Sequence, residues 1–213
     1  MRLLINTAST HKGGGVQVAN SLIEEFRNFP ENEYHIVLGI MLQSLIKKET
    51  FNDNFYFYSI GARPASSIQS MRNAKRFLNT LIDSINPDVV LTTSGPSYWK
   101  TKKPHVMGFN LGHFVYSDSP FYKSISLIQK VKWNIKFLSI NYFYKRDADA
   151  VVVQTDDVKN RLQIKWPEKK IYTVSNTVNE IYINPLLLEK NYHPEEPMNL
   201  DCSLYLHGIS IKI

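Results

Sequence analysis

Short apolar runs alternate with helical stretches along most of this 213-residue chain, and that alternation predicts an α/β fold, a doubly wound (Rossmann-like), mostly parallel sheet of about seven strands. Two further observations support it. The chain opens on RLLIN, which is too short and apolar for a surface helix and suits a central strand covered on both faces. That run leads through a loop ending in Gly13, Gly14 and Gly15 into a helical pattern, a complete strand–loop–helix unit.

In that first helix Val16, Ala19, Ile23 and Phe26 share one face. Residues 34–38 (YHIVL) predict a second strand, residues 41–48 a short helix, and residues 55–59 (FYFYS) a third strand near an edge. A helix is expected from Arg63-Pro64 to about Ile85, with Ile68, Met71, Phe77 or Leu78, Leu81 and Ile85 inward. Asn86-Pro87 stops it, because proline disfavours helix in the residue before it. Residues 89–92 form the next strand and run into the polar loop TSGPSYW, the position of ligand contacts in open α/β sheets. Residues 104–110 (PHVMGFN) predict a fifth strand and residues 121–146 one long helix. Residues 150–154 (AVVVQ) predict a sixth strand. Thr155 caps a helix with Asp156 and Asp157 in its first turn, and residues 171–174 are the seventh strand. Residues 1–184 thus read as one domain. Residues 185–213 read as a linker and an atypical tail, with prolines and acids before a single strand-like piece.

A hydrophobic fraction of 43% suits a packed core. The lone Cys202 excludes an internal disulfide and fits a reducing cytoplasm. No signal-peptide pattern precedes the first strand, and no run approaches the ~20 apolar residues of a membrane span.

The net charge of +6 has a location. Residues 119–146 hold Lys123, Lys130, Lys132, Lys136, Lys145 and Arg146 and no acid. The same stretch is apolar on two sides. Ile125, Ile128, Val131, Ile135, Leu138 and Tyr142 make a stripe expected to face the sheet. Trp133, Phe137, Ile140 and Tyr144 make a second stripe that the sheet cannot cover as well. With lysines at its margins, Lys123, Lys130, Lys132, Trp133, Lys136 and Phe137 are expected to face an anionic membrane surface. The alternative is packing under another segment with the lysines solvated. No nucleic-acid signature accompanies the patch.

The three glycines leave room for a ligand against the backbone, and the start of the following helix offers N–H groups to a diphosphate. They serve equally well as a tight turn. They do not make the G-x-G-x-x-G dinucleotide fingerprint, and no acid lies at the second strand tip, so a nicotinamide-dependent oxidoreductase is not expected. No metal, thiol or serine-nucleophile motif occurs. His113 follows a strand by a short link, which puts an imidazole at the carboxyl edge of the sheet as a ligand contact, a proton carrier or an ordinary loop histidine.

RLLINTASTHKGGGVQVANSL, PDVVLTTSGPSYW, KKPHVMGFNLGHFVYSDSPFY, KRDADAVVVQTDDVKNRL and IYTVSNTVNEIY, in this order, resemble the N-terminal half of a glycosyltransferase family 4 enzyme with the GT-B fold, of the kind that builds bacterial surface polysaccharides. The resemblance implies a retaining transferase using a nucleotide sugar, with no cofactor or metal, acting on a lipid-linked or glycan acceptor. It implies a cytoplasmic protein held peripherally on the inner face of the cell membrane. Carried over, Gly13, Gly14, Gly15 and Gln17 meet the donor, His113 lies near the transferring sugar, and Asn176 belongs to the segment leading to the second domain. Ser175-Asn176-Thr177 stands where the family has proline–asparagine–glycine. The family's C-terminal, donor-binding domain has no counterpart here, so the chain is expected to be incomplete without it. A non-catalytic membrane- or partner-binding remnant is the competing expectation.

Overall fold

The computed structural model describes residues 1–11, 13–116 and 118–175, together with two short strands, Tyr205–Leu206 and Ile209–Ser210, that pair antiparallel with each other. Asn176 and most of the expected tail lie outside the described residues.

Seven strands form one all-parallel sheet: β1 (Arg2–Asn6), β2 (Glu33–Leu38), β3 (Phe55–Ser59), β4 (Val89–Thr92), β5 (His105–Gly108), β6 (Ala150–Val153) and β7 (Lys170–Thr173). Their order is β3-β2-β1-β4-β5-β6-β7, so β3 lies at an edge, as its alternating aromatics predicted. The chain winds outward from β1 to β3, then returns to the other side of β1 to begin β4. That return makes a switch point between β1 and β4, where the loops leaving the two strands diverge and open a crevice.

The helices are α1 (Gly14–Glu25), α2 (Ile40–Leu45), α3 (Ile68–Ile85), α4 (Phe121–Ser124), α5 (Leu127–Asp147) and α6 (Asp156–Lys165). Period-two alternation distributes the strand residues between the faces. Ile5, Ile36 and Leu38 pack with Val16, Ala19 and Ile23 of α1, whereas Leu4, Val37 and Val90 pack with Ala74, Leu78 and Ile82 of α3. A third cluster joins Met107, Phe109, Val151 and Val153 to Ile140 and Tyr144 of α5 and Leu162 of α6.

Three expectations are corrected. Pro64–Ser66 is a separate 3-10 turn, and α3 starts after Ser67, whose hydroxyl accepts from the Ser70 N–H. Ile68, on the first turn, therefore faces solvent. The long helix is broken at Ile125, because Ser126 opens a capping box with Gln129 and so starts a new helix.

The third correction concerns the faces of α5. The stripe expected to meet the sheet is outside: Ile128, Val131, Ile135, Leu138 and Tyr142 are exposed, Ile135 to 63%. Ile140 and Tyr144 are in the core, and Trp133 and Phe137, expected to face outward, are half-buried against it. Polar anchoring decides this. The Tyr144 hydroxyl donates to the Gly108 carbonyl at 2.8 Å, and Trp166 Nε1–H donates to Asn141 Oδ1. A hydroxyl and an amide on the inner side find partners there that the exposed stripe could not offer.

Candidate functional site

The loops after β1, β4 and β5 meet at the carboxyl edge of the sheet. Thr10 Oγ1 lies 3.2 Å from Thr93 Oγ1, Ser9 donates to the Pro96 carbonyl at 2.9 Å, and Ser94 donates to Asn110 Oδ1 at 3.0 Å. Gly15 sits against this group: a Cβ there would lie 3.5 Å from Asn110 Nδ2 and 3.9 Å from the Thr10 methyl. Gly13 (φ 61°) is in the left-handed region that favours glycine, and no side chain caps the helix that it starts. A Cβ on Gly13 or Gly14 would meet only open space. Among the described residues no side chain caps this helix start, which stands at the mouth of the switch-point crevice, and the electrostatics there favour an anion. Gln17 is exposed on the next turn.

A buried hydrogen-bond relay braces this edge from beneath. The His105 ring lies between Thr92 Oγ1, 2.8 Å from Nε2, and the Asp147 carbonyl, 2.9 Å from Nδ1. A carbonyl only accepts, so Nδ1 carries the proton and the Thr92 hydroxyl donates to Nε2. Thr92 Oγ1 in turn accepts from Asn6 Nδ2 at 3.3 Å, and Asn6 Oδ1 accepts from the Ala8 N–H at 3.1 Å. The last residues of β1 and β4 are thus tied to the end of α5. Burial pushes the His105 imidazole down to about 4, only partly offset by its bond to the Asp147 carbonyl, so it is neutral at pH 7. Nothing in the sequence singled out this histidine beyond its place in an apolar strand.

His113 lies three residues beyond Asn110, in the 3-10 turn Gly112–Phe114. Its ring meets Trp133 edge-on, with centroids 4.9 Å apart, and its carbonyl accepts from the Tyr122 hydroxyl at 2.5 Å. Shielding by these neighbours, and then the charge of Lys136, lower its basicity and favour the neutral imidazole. Lys136 itself stands 5.0 Å from the Trp133 ring centroid. His113 is therefore brought together with Trp133 and Lys136, and its neighbour Phe114 with Phe137, while the glycines are brought together with Thr10, Ser94 and Asn110.

Beside His113, Phe114, Tyr122, Lys130, Trp133, Phe137 and Lys165 line a groove of ≈320 Å³. A wider basin of ≈710 Å³ lies at the opposite, amino end of the sheet, where Arg2 is already engaged by Glu33 and Asp88. Lys123, on α4, and Lys132, on α5, are exposed. Among the described residues no group of three or more His, Cys, Asp and Glu is placed to hold a metal, and no helix is long and apolar enough to cross a membrane.

No protein-family model matches the chain, and no curated protein does. Solved structures do. UDP-GlcNAc 2-epimerase from Methanocaldococcus jannaschii is similar at a TM-score of 0.54 and 15% identity, over 90% of this chain and 50% of that one. A glycosyltransferase from Rickettsia africae is similar at 0.46 and 17%, over 91% of this chain and 46% of that one. HepE from Anabaena, solved with UDP and glucose, is similar at 0.47 and 11%, over 84% and 45%. The chain spans about half the length of these structures. Fold alone does not carry chemistry. The chain has the Rossmann-like α/β fold: a single all-parallel seven-stranded sheet with flanking helices.

Proposed function

We propose that this chain is the acceptor-side half of a retaining, nucleotide-sugar-dependent glycosyltransferase of the GT-B type, related to family 4 and to enzymes of surface-polysaccharide synthesis. The observation that carries the reading is the uncapped start of α1, with Gly13 and Gly14 bare, at the switch point between β1 and β4. On this reading the N–H groups after Gly13 receive the donor's diphosphate, Gln17 adds a polar contact, and no resident metal or cofactor takes part. His113, neutral at pH 7, donates to a hydroxyl of the transferring sugar. A second α/β domain, led into by the segment containing Asn176, supplies the rest of the donor site.

Calorimetry with nucleoside diphosphates and nucleotide sugars tests this, on the 213-residue chain and on the chain joined to a second α/β domain. Binding by the joined protein and transfer only in that form are expected. Absence of nucleotide-sugar binding by the joined protein overturns the reading. Gly14→Asp separates binding from stability. A carboxylate in the first turn stabilises the helix by about 0.3–1 kcal/mol, yet it repels a diphosphate, so affinity falls by about tenfold or more while the thermal midpoint holds or rises.

The acceptor on this reading is lipid-linked or a growing glycan, reached by a cytoplasmic protein resting on the inner face of the membrane. Support comes from the exposed face of α5, where Leu127, Ile128, Val131, Ile135, Leu138 and Tyr142 form an exposed arc about 22 Å long. Lys123, Lys132 and Lys136 are exposed on α4 and α5, and each contributes about 1 kcal/mol near anionic lipid. In vesicle flotation the chain is expected to rise with anionic vesicles and to stay down with zwitterionic ones. Replacing Val131, Ile135 and Leu138 by glutamine should cut binding by about tenfold or more, since each buried aliphatic side chain is worth about 1.5–3 kcal/mol. Strong flotation with no transfer in any complemented form would instead favour a non-catalytic docking module.

A further inference from the structure

The exposed arc of α5 is not the only surface that this helix builds. On its flank, between the arc and the core, runs the ≈320 Å³ groove. Its walls are rings: Phe114 and Phe137 lie 5.7 Å apart and nearly parallel, and Trp133 leans on Phe114 at 5.2 Å. Two lysines also line it, Lys130 from α5 and Lys165 from the last turn of α6. Lys165 Nζ donates to the Phe114 carbonyl at 3.0 Å and sits 4.9 Å from the Phe137 ring centroid, so that among the described residues one of its three N–H donors has a hydrogen-bond acceptor. The Tyr122 hydroxyl is directed at the His113 carbonyl and so ties the rim of the groove to that turn.

Among the described residues no acidic side chain lines the groove. Aromatic walls favour an apolar or ring-bearing body, and two ammonium groups at one site favour an anion. Either feature alone is common on protein surfaces. A single molecule satisfies both if it carries an apolar chain with an anionic head. Burial, followed by repulsion from Arg161, holds the Lys165 ammonium below its ordinary lysine value, and a bound anion relieves that penalty. On the helix wheel Asn134 and then Lys130 lie beside Leu127 and Leu138 of the exposed arc, with Phe137 about 20° beyond Lys130, so a chain leaving the groove continues over that apolar surface.

We infer that the groove of Phe114, Trp133, Phe137, Lys130 and Lys165 is a binding site for a phosphate-headed amphiphile presented by a membrane. The head lies between the two lysines and the chain along the rings. This deepens the acceptor side of the proposed transfer reaction and takes its biological meaning from that reading. The binding itself is measured without any sugar transfer, so the two fail separately.

The three tryptophans supply the probe. Trp99 and Trp166 are each 1% exposed, whereas Trp133 is partly open and lines the groove. Dodecyl phosphate, below its micellar concentration, is titrated into the 213-residue chain, with emission and calorimetry read together. A saturable blue shift is expected, lost in Trp133→Phe, with the same midpoint in the parent as the calorimetric isotherm. Lys130→Gln with Lys165→Gln should raise Kd by about tenfold or more, the loss of charge-assisted hydrogen bonds. Ile68→Gln, an exposed position on α3 that is neither in the groove nor on the arc, should leave the Kd for dodecyl phosphate within about twofold. The same lysine variants should weaken binding to vesicles carrying a phosphate-headed lipid.

Inorganic phosphate binding as tightly as dodecyl phosphate would reduce the site to a phosphate site and overturn the proposal. Equal affinity for dodecyl maltoside would reduce it to an apolar slot, with the same consequence. No saturable binding, or binding untouched by the lysine substitutions, also overturns it.

Discussion

Gly108→Ala is expected to destabilise the chain by about 3 kcal/mol or more and to disorganise the loop after β4. Gly108 ends β5 in the middle of the sheet, and a Cβ there would lie 2.3 Å from the Thr93 carbonyl oxygen and 3.0 Å from its carbon. Neither is the free end of a side chain that can swing away. The backbone around it is fixed, since the Gly108 carbonyl accepts from both the Gly95 N–H, at 2.9 Å, and the Tyr144 hydroxyl. The clash therefore moves the loop carrying Ser94, one of the groups beside Gly15. Urea unfolding measures the loss, and Gly61→Ala is the control, because a Cβ there meets nothing within 4 Å. A midpoint for Gly108→Ala close to that of the parent would show that the loop yields more easily than its bonding indicates.

The second large effect is a dependence of stability on pH. His105 falls from the ordinary 6.5 to about 4 in the folded chain, with burial as the leading cause. The unfolded chain therefore binds a proton at a higher pH than the native one, so protonation favours unfolding. The stability that the neutral ring confers is complete above pH 6.5 and drains away as pH falls toward 4. The difference amounts to about 3 kcal/mol. His113 is lowered as well, so it acts in the same direction. Urea midpoints from pH 7.5 to 4.5 should fall steeply for the parent and for His113→Gln, and much less for His105→Gln. The His105→Gln chain should also start lower at pH 7.5, because Thr92 and the Asp147 carbonyl lose a matched partner. Equal slopes for the two histidine variants would remove His105 from the explanation.

Most of the sheet was legible in the sequence for a local reason. Buried parallel strands are near-continuous apolar runs, and RLLIN, YHIVL and AVVV stand out between polar loops without tertiary information. The helical spacing of Val16, Ala19 and Ile23 likewise named the buried face of α1. The relay through Asn6, Thr92 and His105 was not legible, because its bonded neighbours are 86 and 13 residues apart and only the pairing of β1, β4 and β5 brings them together. The groove was hidden for the same reason, since Lys165 arrives on α6, far along the chain from Phe114. The break before Ser126 had a local signal, the S-x-x-Q pattern, which the surrounding aromatic run masked.

The two apolar faces of α5 bear on how the chain finds its fold. Hydrophobic collapse rewards either face against the sheet, so two docked orientations, related by roughly half a turn about the helix axis, start out close in energy. Discrimination falls to a few directional groups: the Tyr144 hydroxyl on Gly108, Asn141 facing Trp166, and the Asp147 carbonyl held by His105. In the rotated arrangement these bonds are unmade and the buried polar groups go unpaired, a penalty of about 1–3 kcal/mol for each. The same polar anchors that brace the β1 and β4 loops therefore select one orientation of α5 over its mirror. Removing them would blur the uniqueness of the native state before it lowered the chain's overall compactness.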